Sequence, residues 1–86
     1  MESAFPKLQM ELYYYEACGF SQVVLNTLRN LKILDQTELK DIREHPDFEA
    51  ELIARTGNKT VPCLVVEGKT MKESETIKKY LVSRFL

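Results

Sequence analysis

Leu12-Tyr13-Tyr14-Tyr15-Glu16-Ala17-Cys18-Gly19-Phe20-Ser21 is the stretch in which the chain changes its period. Ahead of it, Leu8, Met10 and Leu12 alternate with Gln9 and Glu11 and run into three tyrosines. That is strand character over residues 8–15, reinforced by the β-propensity of aromatic side chains. Beyond it, Phe20, Val23, Val24, Leu28 and Leu31 fall at i, i+3, i+4, i+8 and i+11, one face of a helix. A cysteine therefore stands between a strand and the first turn of a helix. A thiolate in that position faces unpaired backbone N–H groups and the positive end of the helix dipole, which lowers its pKa. Gly19 lets the backbone bend tightly toward the thiol, and Phe20 can cover one side of it. Ser21 occupies the place where a second thiol would make a Cys-x-x-Cys pair. The alternative reading of Cys18 is a buried structural cysteine.

Working outward, residues 37–42 form a weaker strand, with Thr37, Leu39 and Asp41 on one side. Pro46-Asp47 opens a second helix with Phe48, Leu52 and Ile53 on its inner side, and Gly57 stops it. Residues 63–67 read as a buried strand, turned by Gly68-Lys69 into a short partner over residues 70–72. Ser74 caps a last helix whose inner face is Ile77, Tyr80, Leu81 and Phe85. The order β-α-β-α-β-β-α predicts an α/β fold, a four-stranded mixed sheet with helices on both faces. Length and composition suit one domain over residues 1–86, with residues 1–7 a loosely ordered leading segment.

Two further segments carry chemistry. Thr60-Val61-Pro62 precedes the third strand, where proline costs no ladder donor; a cis Val61–Pro62 bond would turn the Val61 backbone outward to pair with an extended peptide. On base rates alone the bond is trans. Glu73-Ser74 begins the last helix, and a helix N-terminus with a hydroxyl can hold a carboxylate, or simply be an N-cap without a ligand.

With 44% hydrophobic and 29% charged residues, the composition is that of an ordinary globule. No apolar run approaches the roughly 20 residues of a membrane span. The net charge of −1 argues against a partner held mainly through phosphates. Fibrous, membrane-spanning, disulfide-stapled and nucleic-acid-coating classes are thereby excluded, so neither nucleic acid nor membrane is an expected partner. Met1-Glu2-Ser3-Ala4-Phe5-Pro6-Lys7 lacks the features of a signal peptide, and a cytoplasmic location is the expectation. Residues 35–51 carry seven acids and two bases, residues 55–86 seven bases and three acids. The basic final third can attract a small anion, or be a solvated face. Cys18 and Cys63 are the two cysteines and His45 the one histidine, none at metal-ligand spacing, so no structural metal site is expected. His45 receives no role.

Taken together, Tyr15-Glu16-Ala17-Cys18-Gly19-Phe20-Ser21, Thr56-Gly57-Asn58-Lys59-Thr60-Val61-Pro62 and Glu73-Ser74-Glu75-Thr76-Ile77 resemble the glutaredoxins, a family of the thioredoxin-fold superfamily. The resemblance covers nearly the whole chain and implies a glutathione site built from the cysteine loop, the Thr-Val-Pro segment and the start of the last helix. It also implies a cis bond at Pro62. Cys18-Gly19-Phe20-Ser21 is the active-site tetrapeptide of monothiol glutaredoxins, which share a [2Fe–2S] cluster between two subunits. The chain departs from that group: it has no lysine ahead of the loop, and Lys72-Glu73-Ser74 where that group has a Gly-Gly segment. Glu73-Ser74 resembles instead the N-terminal domains of glutathione transferases. No C-terminal helical domain follows, so transferase activity is not expected.

The implied activity is a glutathione-dependent thiol–disulfide oxidoreductase acting on glutathionylated proteins or small disulfides through Cys18 alone. Val61 would pair with the cysteinyl backbone of glutathione, with Thr60 and Pro62 beside it. Glu73 and Ser74 would hold its γ-glutamyl end, Lys59 would meet its glycine carboxylate, and Tyr15 would pack beside the thiol. The alternative is a cluster carrier with Cys18 from each of two chains ligating [2Fe–2S] together with two glutathiones; the chain is then a dimer, otherwise a monomer. Cys63 is read as a small apolar core residue, with pairing to Cys18 as its alternative.

Overall fold

The computed structural model describes residues 10–86. The expected leading segment at 1–7, and the start of the first strand at Leu8 and Gln9, lie outside the described residues. Strand β1 (Met10–Tyr14) leads through α1 (Gly19–Asn30) and a 3-10 turn (Leu34–Gln36) to β2 (Thr37–Asp41). Helix α2 (Pro46–Thr56), the hairpin β3 (Cys63–Val66) and β4 (Lys69–Lys72), and α3 (Ser74–Phe85) complete the order. The sheet runs β2-β1-β3-β4. β1 is parallel to β2, which needs a crossover such as α1, and antiparallel to β3; β3 and β4 are antiparallel. This is the predicted thioredoxin-like arrangement.

Alternation along the central strands separates two cores. Met10, Leu12 and Leu64 face α1 and α3, packing with Val24, Leu25, Leu28, Ile77 and Leu81. Tyr13, Cys63 and Val65 point the other way and pack with Ile42 and Leu52 under α2. Burying each large apolar side chain is worth about 1.5–3 kcal/mol, so both faces of β1 and β3 contribute to the fold.

Several expected inner residues lie outside these cores. Phe20, in the first turn of α1, is 68% exposed and belongs to neither core. Leu39 lies on the edge strand β2, where one flank has no neighbouring strand, and Ile53 projects from the flank of α2; both are exposed. The hairpin turn is Glu67-Gly68 rather than Gly68-Lys69, with φ of 50° and 85°. Positive φ at both central residues matches the twist of a two-residue hairpin. Gly57 ends α2 as expected, at φ 87°. The cap position of α3 is Glu73, not Ser74, and no side chain caps it.

The α2 face also holds a charge network, centred on a buried lysine, that the sequence did not announce. Lys40, 6% exposed, donates from Nζ to Glu11 Oε1 at 2.6 Å and to Glu51 Oε1 at 2.7 Å. The Tyr13 hydroxyl donates to the same Glu51 oxygen at 2.9 Å, and Arg55 Nη1 lies 3.1 Å from Glu11 Oε2. Burial alone would lower the Lys40 pKa, but the two carboxylates raise it strongly, so the ammonium stays charged.

Candidate functional site

Tyr15-Glu16-Ala17 leaves β1 in a tight turn closed by the Cys18 N–H donating to the Tyr15 carbonyl at 3.1 Å. Gln22 reaches back from α1 to donate through Nε2 to the Glu16 carbonyl at 2.8 Å, tying the loop to the helix. Cys18 is then the N-cap of α1: its carbonyl accepts the Gln22 N–H at 3.0 Å, and its Sγ accepts the Ser21 N–H at 3.4 Å. The thiol is half-buried. Burial raises its pKa, but the Ser21 hydroxyl, the Ser21 and Phe20 N–H groups and the Tyr15 hydroxyl together outweigh that and bring it below the ordinary thiol value. The position at the helix start expected from sequence is therefore a chemically distinct one.

A groove of about 320 Å³ adjoins this helix start, lined by Phe20, Thr60, Val61, Pro62, Glu73, Ser74 and Glu75. It brings Phe20 of the cysteine loop together with Thr60-Val61-Pro62 and Glu73-Ser74, while Cys18, Tyr15, Gly19 and Ser21 are not among its lining residues. The Val61–Pro62 bond is cis, as the resemblance implied. Glu73 has φ 72° and ψ 121°, a conformation that side chains rarely adopt, and its carbonyl accepts the Ile77 N–H at 3.0 Å. Ser74 is buried at the first position of α3. Of the remaining expected residues, Lys59 does not line the groove; it is exposed, with Nζ 3.9 Å from Glu49.

Three participants were not foreseen. Glu75 lines the groove beside Ser74, in the first turn of α3. Asn58 organises the approach to Pro62: its Oδ1 accepts the Thr60 N–H at 3.1 Å and Lys72 Nζ at 3.2 Å. Asparagine directly after a helix-ending glycine is the signal that would have found it, since its side chain readily bonds backbone two residues on. Arg43 stacks 3.6 Å above the Tyr15 ring and so fixes the residue beside the thiol. No local pattern connects those two.

Cys63 is fully buried in β3 among Tyr13, Leu52 and Val65. Burial pushes its pKa up, against smaller lowering from the Met71 backbone, Lys72 and Arg55. Its environment is the structural one expected. Both cysteines are free thiols. Among the described residues no group of three or more His, Cys, Asp or Glu side chains could hold a metal ion.

Residues 10–71 match the glutaredoxin family. The chain is a glutaredoxin family member. Among solved structures it is similar to glutathione S-transferase isozyme E7 from Drosophila melanogaster (29% identity, TM-score 0.74), covering 90% of this chain and 35% of that one. An epsilon-class glutathione S-transferase from the housefly, Musca domestica, is 25% identical with a TM-score of 0.72 and the same coverage. Oxidized glutaredoxin 2 from Chlamydomonas reinhardtii shares the fold at 18% identity and a TM-score of 0.70, covering 92% of this chain and 76% of that one. The glutaredoxin thus spans about a third of the transferases it matches and most of the length of the algal protein. No curated protein matches it.

Proposed function

We propose that this glutaredoxin reduces glutathione mixed disulfides through Cys18 alone. The observation that carries the reading is the placement of a half-buried thiol of lowered pKa at the N-cap of α1, adjoining a groove made from the Thr60-Val61-Pro62 and Glu73-Ser74 segments. The Cys18 thiolate would attack the glutathione sulfur of the mixed disulfide. A bond forms from Sγ to that sulfur, the old disulfide breaks, and the substrate thiolate leaves and takes up a proton. A second glutathione thiolate then attacks the glutathione sulfur bound to Cys18, releasing oxidised glutathione and regenerating the Cys18 thiolate. The two glutathiones supply the two electrons. Ser21 offers no sulfur and Cys63 is sealed in the sheet, so neither can resolve the intermediate.

In this reading Val61 pairs with the cysteinyl backbone of glutathione, Glu73 and Ser74 receive its γ-glutamyl end, and Lys59 swings toward its glycine carboxylate. The substrates are glutathionylated proteins or small disulfides of a reducing, cytoplasmic compartment. A [2Fe–2S] cluster would find one accessible thiolate per chain; four-thiolate ligation would need a second chain and two glutathiones, and nothing in the geometry favours it.

The test is glutathione-dependent reduction of a glutathionylated peptide by wild type, Cys18→Ser and Cys63→Ala. Activity lost in Cys18→Ser and kept in Cys63→Ala is the expected result. Equal loss in both variants overturns the single-thiol mechanism.

A further inference from the structure

The sheet has two edge strands, β2 and β4, and they are guarded differently. β4 carries a lysine at each end, Lys69 and Lys72, charges of the kind that keep an edge from pairing with another chain. β2 has no proline and no bulge in its register, and its one lysine is turned onto the α2 face and tied to Glu11 and Glu51. Leu39, at the middle of β2, is 36% exposed beside an open depression of about 740 Å³ that it lines together with Arg29, Lys32 and Leu34. We propose that β2 pairs antiparallel with β2 of a second copy of this chain, about a two-fold axis at Leu39, to make one eight-stranded sheet.

The backbone carries the argument. The Ile42 N–H donates to the Tyr14 carbonyl at 2.8 Å. Within the parallel register, Glu38, Lys40 and Ile42 therefore turn their backbone groups toward β1, and Thr37, Leu39 and Asp41 turn theirs outward. Two of those outward groups are already spent: the Thr37 N–H donates to the Leu34 carbonyl, and the Asp41 carbonyl accepts the His45 N–H at 3.1 Å. The Thr37 carbonyl, both groups of Leu39 and the Asp41 N–H have no partner among the described residues. With Leu39 opposite Leu39, that set pairs with itself. Leu39 exchanges two bonds with its counterpart, and each Asp41 N–H meets the Thr37 carbonyl of the other chain. The two spent groups face one another, so no donor or acceptor is left over. Side chains agree with this register: leucine meets leucine on the α1 face, and on the α2 face the exposed Glu38 stands opposite Lys40 of the other chain. Because β1 runs parallel to β2, the pairing sends the two Cys18 loops to opposite ends of the sheet. This dimer is thus distinct from one bridged by a shared cluster, and it does not depend on the activity proposed above.

The experiment uses the full chain carrying Cys18→Ser, free of glutathione and metal, so that no bridge can form through the active site. Five-residue edges make a small interface, and sedimentation equilibrium from roughly 10 μM to 1 mM should show reversible dimerisation. Leu39→Glu, which sets like charges opposite each other at an exposed position, should raise the dissociation constant about tenfold and leave thermal unfolding of the dilute protein unchanged. Cross-linking with diamide reads the register. Leu39→Cys places the two thiols on Cα atoms about 5.5 Å apart, inside the range a disulfide spans, and gives a covalent dimer. Glu38→Cys places them on Cα atoms about 8 Å apart, outside that range, and does not. A monomer at every concentration, or a dimer indifferent to Leu39→Glu, overturns the proposal. Equal cross-linking at both positions overturns it too, since random collision would give that result.

Discussion

On the α2 face Lys40 is buried with two carboxylates bound to its ammonium, whereas at the start of α1 the buried Ser21 hydroxyl belongs to no closed network and acts on the Cys18 thiol, whose pKa it helps to lower. The same contrast runs through the surroundings. Glu11, Glu51, Tyr13 and Arg55 close a network in which the charges satisfy one another. The other region gathers a thiol poised toward its ionised form, a groove, and a glutamate at positive φ. Polar groups satisfied inside the chain hold a fold together. Polar groups left waiting are available to something that arrives.

If that division is real, stability and chemistry separate by mutation. Lys40→Ala leaves the carboxylate of Glu11 half-buried without its nearest cation, and should cost about 3 kcal/mol by urea denaturation. Exchange at Cys18, measured in the remaining folded protein, should change less than twofold. Cys18→Ser should do the reverse, abolishing exchange while leaving the urea midpoint close to wild type. A Lys40→Ala protein that folds well but exchanges poorly would break the comparison.

Acid sharpens it further. Burial raises the Glu11 pKa, but the hydrogen bonds from Lys40 and Arg55 outweigh it and hold the folded carboxyl below its ordinary value. A depressed folded pKa contributes stability that is present above the unfolded value, about pH 4.3, and is lost as pH falls through the folded one. Wild type should therefore lose urea stability below about pH 4 more steeply than Glu11→Gln does. Equal slopes would mean that the network does not couple to folding.

The two regions were unequally legible. Cys18 could be read because everything that defines it is local: a strand ends at Tyr14, a helix starts at Gly19, and the cysteine lies between. Thr60-Val61-Pro62 and Glu73-Ser74 were likewise marked by adjacent residues, although which of the last two caps α3 was not. The network could not be read, because a lysine in a strand ordinarily points to water and its partners come from β1 and α2. Leu39 and Ile53 failed for the converse reason: periodicity shows a side but not whether another element covers it. Phe20 fits the apolar period of α1, yet it stands exposed in the first turn and lines the groove instead of the core.

The two thiols give a smaller test. Cys63→Ser puts a hydroxyl where Tyr13, Leu52 and Val65 leave it little to bond, and should cost about 2 kcal/mol in thermal or urea unfolding. Cys63→Ala should cost less. Burial raises the folded pKa of Cys63, so the stability it contributes is complete below the unfolded thiol value and is lost as pH rises toward the folded one. Wild type should then lose stability above about pH 8.5 relative to Cys63→Ala. A flat difference between the two proteins across alkaline pH would argue that Cys63 does not differ from an exposed thiol.

The smallest expected effect concerns backbone rather than side chain. Glu67 and Glu73 both have positive φ, at 50° and 72°, but Glu67 sits in a solvent-facing hairpin turn and Glu73 lines the groove. Glycine relaxes either position while adding entropy to the unfolded chain, so Glu67→Gly and Glu73→Gly should each change stability by less than about 1 kcal/mol. Binding is where they part. Calorimetry with glutathione should find Glu67→Gly indistinguishable from wild type and Glu73→Gly weaker, because only the second removes a carboxylate and a fixed backbone from the groove. Equal affinity in both would place Glu73 with the hairpin turn, as an incidental left-handed residue, and leave Ser74 as the group through which α3 meets its ligand.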